Sequence, residues 1–202
     1  MIELKIFFAT HNLDKKREIE YILTSKKIKV LYIDDFPDYP EVEETGKTLE
    51  ENSIIKVLNG YSFTNLDTFA EDTGLFVESL NGEPGVFTSR YAGKNPSYQD
   101  NYMLLLKKME NFKEDFQRRA YFKTVITFKT SDFMKQFEGV CNGRIAYKPE
   151  GDKGFGYDPV FIPDGFEKTF AQLDESVKNR ISHRAKAVNK FIDFLEKEYF
   201  GA

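Results

Sequence analysis

The chain has 202 residues, of which 41% are hydrophobic and 31% are charged, and its net charge is −4. This composition excludes intrinsic disorder and argues against a long nucleic acid as partner, because such partners need a basic face. Cys141 is the only cysteine, and His11 and His183 are the only histidines. An internal disulfide, a cysteine zinc site and a histidine-rich metal site are therefore excluded, so we expect any metal to be a hard cation held by carboxylates.

The first predicted elements alternate strand and helix. The apolar run LKIFFAT, Leu4–Thr10, is typical of a buried strand, and it is too short for a signal peptide or a membrane span. Helical spacing of apolar residues predicts a helix over Lys16–Ser25, and Lys29–Phe36 predicts a second strand. No other segment approaches the ~20 apolar residues that a span requires, so we expect a cytoplasmic protein without a membrane partner.

An acidic loop precedes the second predicted helix. The segment PDYPEVEETGKT, Pro37–Thr48, carries several acids, and the following residues up to Glu51 complete a capping box. Ile54, Leu58 and Tyr61 are the predicted apolar stripe of this helix.

A strand with an acidic interruption follows. Thr68–Leu80, TFAEDTGLFVESL, predicts two strands separated by Glu71 and Asp72, and Gly74 allows the chain to turn sharply there. An acidic pair between apolar runs is costly to bury unless a cation compensates it. Magnesium suits this role because it takes one or two carboxylates and shares its other positions with water and phosphate oxygens.

The rest of the chain predicts a helix, a hairpin and a final helix. Tyr98–Met109 is helical, and Arg118–Thr130 alternates as a strand that Lys135–Tyr147 can pair with in antiparallel fashion. The last helix carries the apolar stripe Ile181, Ala185, Val188, Ile192, Leu195 and Tyr199. The pattern predicts an α/β fold with a mixed sheet and two lobes around a cleft, in one domain over residues 1–202.

Three further segments carry candidate chemistry. In ATHNLDKKREIE a turn opens a helix, where backbone N–H groups, Thr10, Asn12 and Lys15 could bind a phosphate, but this segment by itself favours a helix cap and a solvated lysine. The acids Glu43 and Glu44 are either magnesium ligands or solvated loop residues, whereas Glu51 fits a cap. The glycines of GDKGFGYDPVFIP, Gly151–Pro163, match neither the phosphate-loop nor the dinucleotide pattern, and they allow a close approach to a small ligand or a tight hairpin.

The final helix adds donors at its start. His183 follows Ile181 by two residues, about 200° around the helix, so it points away from the apolar stripe and faces water or a cleft. Beside Lys178 and Arg184 it would then belong to a donor-rich pocket.

These segments together resemble the inosine triphosphate pyrophosphatase (Ham1) family of non-canonical purine NTP pyrophosphatases. The resemblance lies in FATHNLDKKREI, EVEETGKTLEENSIIK, AEDTGLFVESLNGEPGVFTSRYAG, GDKGFGYDPVFIP and TFAQLDESVKNRISHR, which span nearly the whole chain. It implies an elongated α/β structure with two lobes around a substrate cleft, usually as a homodimer. It also implies Mg²⁺-dependent hydrolysis of ITP, dITP and XTP to the monophosphate and pyrophosphate, which cleanses the nucleotide pool.

The resemblance assigns roles residue by residue. It implies Glu44 and Asp72 as magnesium ligands, with Glu43 and Glu71 beside them, and Asp72 as the catalytic base. The substrate-binding residues that it implies are Thr10, His11, Asn12, Lys15, Thr73, Phe155, Gly156, Tyr157, Asp158, Lys178, His183 and Arg184. Three positions depart from the family pattern: Gln172 replaces a common glutamate, Glu71 an aspartate and Thr73 a serine.

The implied roles suit the chemistry of the reaction. A carboxylate beside the metal can take the proton of the attacking water, and His183 or Arg184 can donate to the oxygen at position 6 of the purine. Phe155 or Tyr157 can stack on the ring. Two alternatives stay open at this point, a Maf-like pyrophosphatase with another base preference and a nucleotide-binding protein without activity.

Overall fold

The computed structural model describes residues 4–23 and 28–199. Its strands are β1 (Leu4–Phe8), β2 (Ile28–Leu31), β3 (Thr68–Val77), β4 (Pro84–Gly85), β5 (Arg119–Lys129), β6 (Met134–Ile145) and β7 (Phe161–Pro163). Its α-helices are α1 (Leu13–Leu23), α2 (Leu49–Thr64), α3 (Tyr98–Lys108), α4 (Glu175–Ile181) and α5 (His183–Phe194), which a π-helical turn over Leu195–Tyr199 extends. The residues Thr24 and Ser25, predicted to end the first helix, lie outside the described part of the chain.

In the described residues, the strands form one mixed sheet with the order β2-β1-β3-β5-β6-β7, and β4 pairs with β3. β1 pairs in parallel with β2 and β3, whereas β3–β4 and β6–β7 are antiparallel. β5 and β6 are neighbours joined by residues 130–133 only, and so short a connection permits only antiparallel pairing. The predicted α/β class with a mixed sheet and flanking helices is confirmed.

The chain divides into two compact units. The first comprises Met1–Asp72, Thr124–Glu138 and Ala187–Ala202, and the second comprises Thr73–Lys123 and Gly139–Lys186. The grouping of residues 1–202 into a single domain stays a prediction. Across the described ranges, no helix has the length and apolar character that crossing a membrane requires.

Two apolar clusters form the core of the first unit. Ile6 and Phe8 of β1 pack in one cluster with residues of α1 and α5, including Phe191. Phe7 of β1 lies in the other cluster with Val57 of α2. Because successive side chains of a strand point to opposite faces, a stretch that is covered on both sides must be apolar on both, which explains the consecutive apolar residues Ile6–Ala9.

The second unit has one core cluster and a buried arginine. Leu75, Leu105, Tyr157 and Phe161 belong to this cluster. The guanidinium of Arg118 donates to the backbone carbonyls of Met109, Phe112, Ile145 and Ala146 at 2.7–3.0 Å. One side chain thereby satisfies carbonyls at the ends of two separate chain segments.

The buried face of α2 differs from the predicted stripe. Leu58 is exposed, and the buried residues of the helix are Leu49, Asn52, Ser53, Val57 and Gly60. A Cβ at Gly60 would lie 3.0 Å from the Cβ of Ala9, so the helix approaches β1 closely at that residue. Polar Asn52 and Ser53 occupy the buried face because their side chains are hydrogen-bonded there, and apolar periodicity does not register them.

The predicted acidic break in the third strand is wrong. β3 runs without interruption from Thr68 to Val77, through both buried acids. Lysine partners compensate the carboxylates, so the strand does not need to open toward water. The turn predicted at Gly74 is also absent, because Gly74 lies inside β3. Its lack of a side chain instead allows β4 to approach, since a Cβ there would lie 2.7 Å from the carbonyl oxygen of Gly85.

The predicted continuous final helix is divided. Ser182 has the extended values φ −66° and ψ 159°, so α4 ends at Ile181 and α5 begins at His183. Residues on the two sides of this break do not share one helical stripe. Ile181 packs against the core of the second unit, whereas Val188 lies in the first.

Candidate active site

An ion-paired cluster in the first unit brings together two predicted magnesium ligands. The ammonium of Lys56 on α2 lies 2.8 Å from Glu44 Oε1 and 2.8 Å from Asp72 Oδ1. Asp72 lies on β3 and is buried, and its other oxygen, Oδ2, accepts a hydrogen bond from Asn52 Nδ2 at 3.2 Å. Lys56 therefore bridges two carboxylates that are 28 residues apart in the chain.

The surroundings of Lys56 favour its protonated, charged form. Burial lowers the pKa of its ammonium, but the carboxylates of Asp72 and Glu44 outweigh this effect, and the pKa is raised above its ordinary value. The cluster thus contains a charged ammonium held between two acidic side chains.

The neighbouring acid Glu71 has a different partner. Glu71 Oε1 lies 3.2 Å from Lys15 Nζ, and the carboxylate is fully buried. Adjacent residues of a strand point to opposite faces, so Glu71 and Asp72 serve separate lysines. Lys15 is therefore ion-paired and not simply solvated.

The residues before α1 form a helix cap. Asn12 Oδ1 accepts hydrogen bonds from the backbone N–H groups of Asp14 and Lys15, both at 3.0 Å. Thr10 Oγ1 accepts from Asn12 N at 3.2 Å, and exposed His11 lies 3.3 Å from the Pro40 carbonyl oxygen. The cap interpretation of this segment holds, and phosphate binding by Thr10, His11 and Asn12 stays a prediction.

Two further acids are Glu43 in the acidic loop and Glu51 at the start of α2. Glu43 is exposed, as expected for a solvated loop residue. Glu51 closes the start of α2, where its backbone N–H donates to Thr48 Oγ1 and its Oε2 accepts from Lys47 N. The capping function predicted for Glu51 is thus present.

The donor set fits magnesium. Within residues 4–23 and 28–199, no three histidine, cysteine, aspartate or glutamate side chains converge as a ready-made metal site. Glu44 and Asp72 nevertheless supply two carboxylates around one cation, which is the complement that Mg²⁺ takes when phosphate and water fill its other positions. The ammonium of Lys56 contacts both carboxylates and holds them close together.

A second cluster, in the second unit, surrounds Phe155. The Lys178 ammonium lies 4.8 Å and the Arg184 guanidinium carbon 5.6 Å from the centre of the Phe155 ring. Tyr98, at the start of α3, has its ring 5.8 Å from that of Phe155. An aromatic ring beside two cations suits a flat heterocycle with acceptor atoms.

Asp158 contacts both Phe155 and Lys178 and holds this cluster together. Its Oδ2 accepts from the backbone N–H of Phe155 at 2.8 Å and pairs with the ammonium of Lys178, and all but a few per cent of both side chains is buried. Asp158 thus holds a basic partner, Lys178. Gly154 has a φ of +73°, and a Cβ there would collide with the Asp158 carboxylate, so the glycine permits this loop to close.

The structure changes the predictions for two residues of this region, His183 and Tyr157. His183 does not face water, because it is buried and stacks on Phe122 with ring centres 4.5 Å apart at 14°. The helical-wheel argument fails because the helix breaks at Ser182. Tyr157 is buried with its hydroxyl bonded to the Thr88 carbonyl, which leaves Phe155 as the ring for stacking.

Thr73 lies beside one of the predicted base-reading residues. Arg184 Nη2 is 3.3 Å from Thr73 Oγ1. The contact ties the start of α5 to β3 within the second unit. The departure from serine preserves the hydroxyl that accepts this hydrogen bond.

Sequence reasoning does not single out three residues of these clusters: Asn52, Lys56 and Tyr98. The signal for the first two is their spacing of four on α2, which places both side chains on one helical face. Tyr98 has no comparable signal, because an exposed tyrosine in the first turn of a helix is unremarkable.

Gln172 has a local role. Its Oε1 accepts from Thr169 N at 2.9 Å, and its Nε2 donates to Glu150 Oε2 at 3.1 Å. An amide suits this place because one side must accept a hydrogen bond and the other must donate one to a carboxylate.

We expect Gln172→Glu to destabilise the protein by about 0.5–1.5 kcal/mol, because the carboxylate loses the donated hydrogen bond and faces Glu150. Urea unfolding measures this change. Glu150→Gln added to the same variant is expected to recover most of the loss. Equal stability of Gln172→Glu and the wild type would contradict the pairing.

The two clusters and the mixed sheet define an α/β protein that carries an ion-paired acidic cluster in its first unit and an aromatic, cationic cluster in its second. The model of the Ham1 family matches residues 6–194. The chain belongs to the Ham1 family, which confirms the resemblance.

Relatives match over nearly the whole chain. The dITP/XTP pyrophosphatase of Christiangramia forsetii is 43% identical over 96% of this chain and 100% of its own length. The Ham1 protein of Staphylococcus aureus has a solved structure that is 40% identical, covers 96% of this chain and 99% of its own, and gives a TM-score of 0.86. The HAM1 protein structure of Coxiella burnetii covers the same shares at 37% identity, with a TM-score of 0.87.

Proposed function

We propose that the chain hydrolyses non-canonical purine nucleoside triphosphates, namely ITP, dITP and XTP, to the monophosphate and pyrophosphate. Support comes from its relatives, which include several named dITP/XTP pyrophosphatases at 42–43% identity. The observation that carries the proposal in this chain is the cluster of Glu44, Lys56 and Asp72. Neither the family match nor these relatives support the Maf-like alternative.

At the phosphate end, Lys56 and Lys15 supply positive charge. Each lysine is ion-paired with a carboxylate, and a polyanionic substrate can replace that carboxylate as its partner. When bound by Glu44 and Asp72, Mg²⁺ supplies neutralisation of the triphosphate charge. Asp72 takes the proton of the attacking water on a carboxylate oxygen, a contribution worth ~10²–10⁴-fold in rate. Positioning and electrostatics of this kind dominate phosphoryl transfer.

At the base end, Phe155 stacks on the purine and Arg184 donates to the oxygen at position 6. Lys178 and Asp158 hold the Phe155 loop in place through their ion pair. Adenine presents an amino group at position 6 and would confront Arg184 donor to donor, and sites built on such hydrogen bonds can discriminate by ~10⁴–10⁵-fold.

The test is pyrophosphate release from ITP, dITP, XTP, ATP, dUTP and TTP, each with and without Mg²⁺. We expect release from the first three only, and only with Mg²⁺. Preference for dUTP or TTP would favour a Maf-like activity instead, and binding of ITP without release would favour a protein without activity.

The same family resemblance carries two further proposals, a homodimeric assembly and a cytoplasmic location. A cytoplasmic enzyme would meet its substrates in the free nucleotide pool. Light scattering of the purified chain measures the assembly.

A further inference from the structure

Asn52 lies between the loop that carries Glu44 and the carboxylate of Asp72. Its Oδ1 accepts a hydrogen bond from Gly46 N at 2.8 Å, and its Nδ2 donates to Asp72 Oδ2 at 3.2 Å. The residue is fully buried on the inner face of α2. A buried amide whose two ends engage different segments fixes their relative position, since losing either hydrogen bond leaves a buried polar group unsatisfied.

The loop is also shaped to reach Asn52. A Cβ at Gly46 would lie 2.6 Å from Asn52 Oδ1 and 2.9 Å from Asn52 N, closer than a side chain tolerates. Glycine at this position therefore allows the backbone of the loop to dock on the first turns of α2. This contact is independent of the hydrogen bond between Asn52 and Asp72, and both point to the same residue.

We propose that Asn52 is a positioning residue, which locks the Glu44 loop to α2 and orients Asp72 for the reaction. This inference rests on the proposed pyrophosphatase function. Lys56 attracts both carboxylates but is a flexible point charge that fixes no direction. Asn52 orients the carboxylate of Asp72 because its Nδ2 donates a hydrogen bond to Oδ2, while Lys56 donates to Oδ1. Each oxygen of the carboxylate therefore has its own donor.

Three variants separate the two halves of the proposal. Asn52→Ala removes both hydrogen bonds. Asn52→Asp keeps an acceptor for Gly46 N but replaces the donor to Asp72 by a like charge. Gly46→Ala displaces the loop while Asn52 stays intact. Asn59→Ala is the matched control, because Asn59 lies on the same helix, is exposed and donates its side-chain amide to the Ile55 carbonyl.

The readouts are kcat and KM for ITP with Mg²⁺, and hydrogen exchange of the Gly46 amide without substrate. We expect Asn52→Ala and Gly46→Ala to lower kcat by ~10–100-fold with little change in KM, and to speed Gly46 exchange. Asn52→Asp is expected to lower kcat while Gly46 stays protected. Asn59→Ala is expected to leave all three quantities as in the wild type.

Turnover of Asn52→Ala within about twofold of the wild type, or unchanged Gly46 exchange in that variant, would overturn the proposal. Thermal unfolding of each variant identifies one that fails to fold, and Asn52→Asp, which keeps the size of the side chain, then carries the test. If the wild type itself released no pyrophosphate, the proposed function would fail, whereas the exchange of Gly46 would still decide whether Asn52 holds the loop.

Discussion

Asp72→Asn is expected to lower kcat for ITP by ~10²–10⁴-fold while the chain stays folded, because the amide cannot take the proton of the attacking water. The substitution keeps the size of the side chain but removes one of the two anions around Lys56. It also has a structural cost. Both oxygens of Asp72 accept hydrogen bonds, from Lys56 and Asn52, so the new NH₂ group must face a donor. We expect a loss of about 1–3 kcal/mol in the free energy of unfolding.

The measurement is pyrophosphate release under saturating ITP, at a temperature well below the unfolding transition of the variant. Asp193→Asn is the matched control, because Asp193 is exposed and pairs with Lys197 at the surface at 3.3 Å. It is expected to have wild-type turnover. Near-native turnover of Asp72→Asn would remove Asp72 from the proposed chemistry.

Lys178→Met is expected to destabilise the protein by about 3–5 kcal/mol, because it leaves the buried carboxylate of Asp158 without its cation. The methionine fills a similar volume beside Phe155 but cannot pair with the charge. The Asp158 carboxylate also accepts the Phe155 backbone N–H, so its loss of compensation is expected to loosen the glycine-rich loop as well. Chemical unfolding with intrinsic tyrosine fluorescence follows this change.

Lys153→Met tests whether burial is the cause. Lys153 pairs with Asp174 at 3.0 Å, but both side chains are exposed. Exposed pairs contribute about 0–1 kcal/mol, so this variant is expected to unfold close to the wild type. Similar losses in the two lysine variants would contradict a special role for the buried pair.

Local patterns predict the elements whose buried face is apolar. The run LKIFFAT, the helix α3 and the β5–β6 hairpin follow from periodicity and short connections, because apolar burial dominates their positions. The pattern fails at α2, where Asn52 and Ser53 are buried by hydrogen bonds and not by hydrophobicity. It fails again at β3, whose acids are buried because lysines from other elements reach them.

The candidate site depends on partners distant in the chain, which a single sequence does not display. Asp72 can be predicted because an acidic pair between apolar runs is unusual, whereas Glu44 lies in an acidic loop and is singled out only by the family resemblance. Lys56 cannot be predicted, since a lysine on an amphipathic helix is ordinarily solvated. The burial of His183 cannot be predicted from the sequence either, because the extended backbone of Ser182 ends α4 and changes the direction of every later side chain.

The adjacency of Glu71 and Asp72 on β3 makes the length of this segment critical. β3 is aligned with β1 through the pairs Phe7–Thr68 and Phe8–Phe69. One residue inserted or deleted between Thr68 and Glu71 would turn both acids to the opposite faces of the strand, so neither would keep its lysine partner. Natural variants of this protein are therefore expected to accept point replacements in the strand far more readily than any gain or loss of a codon.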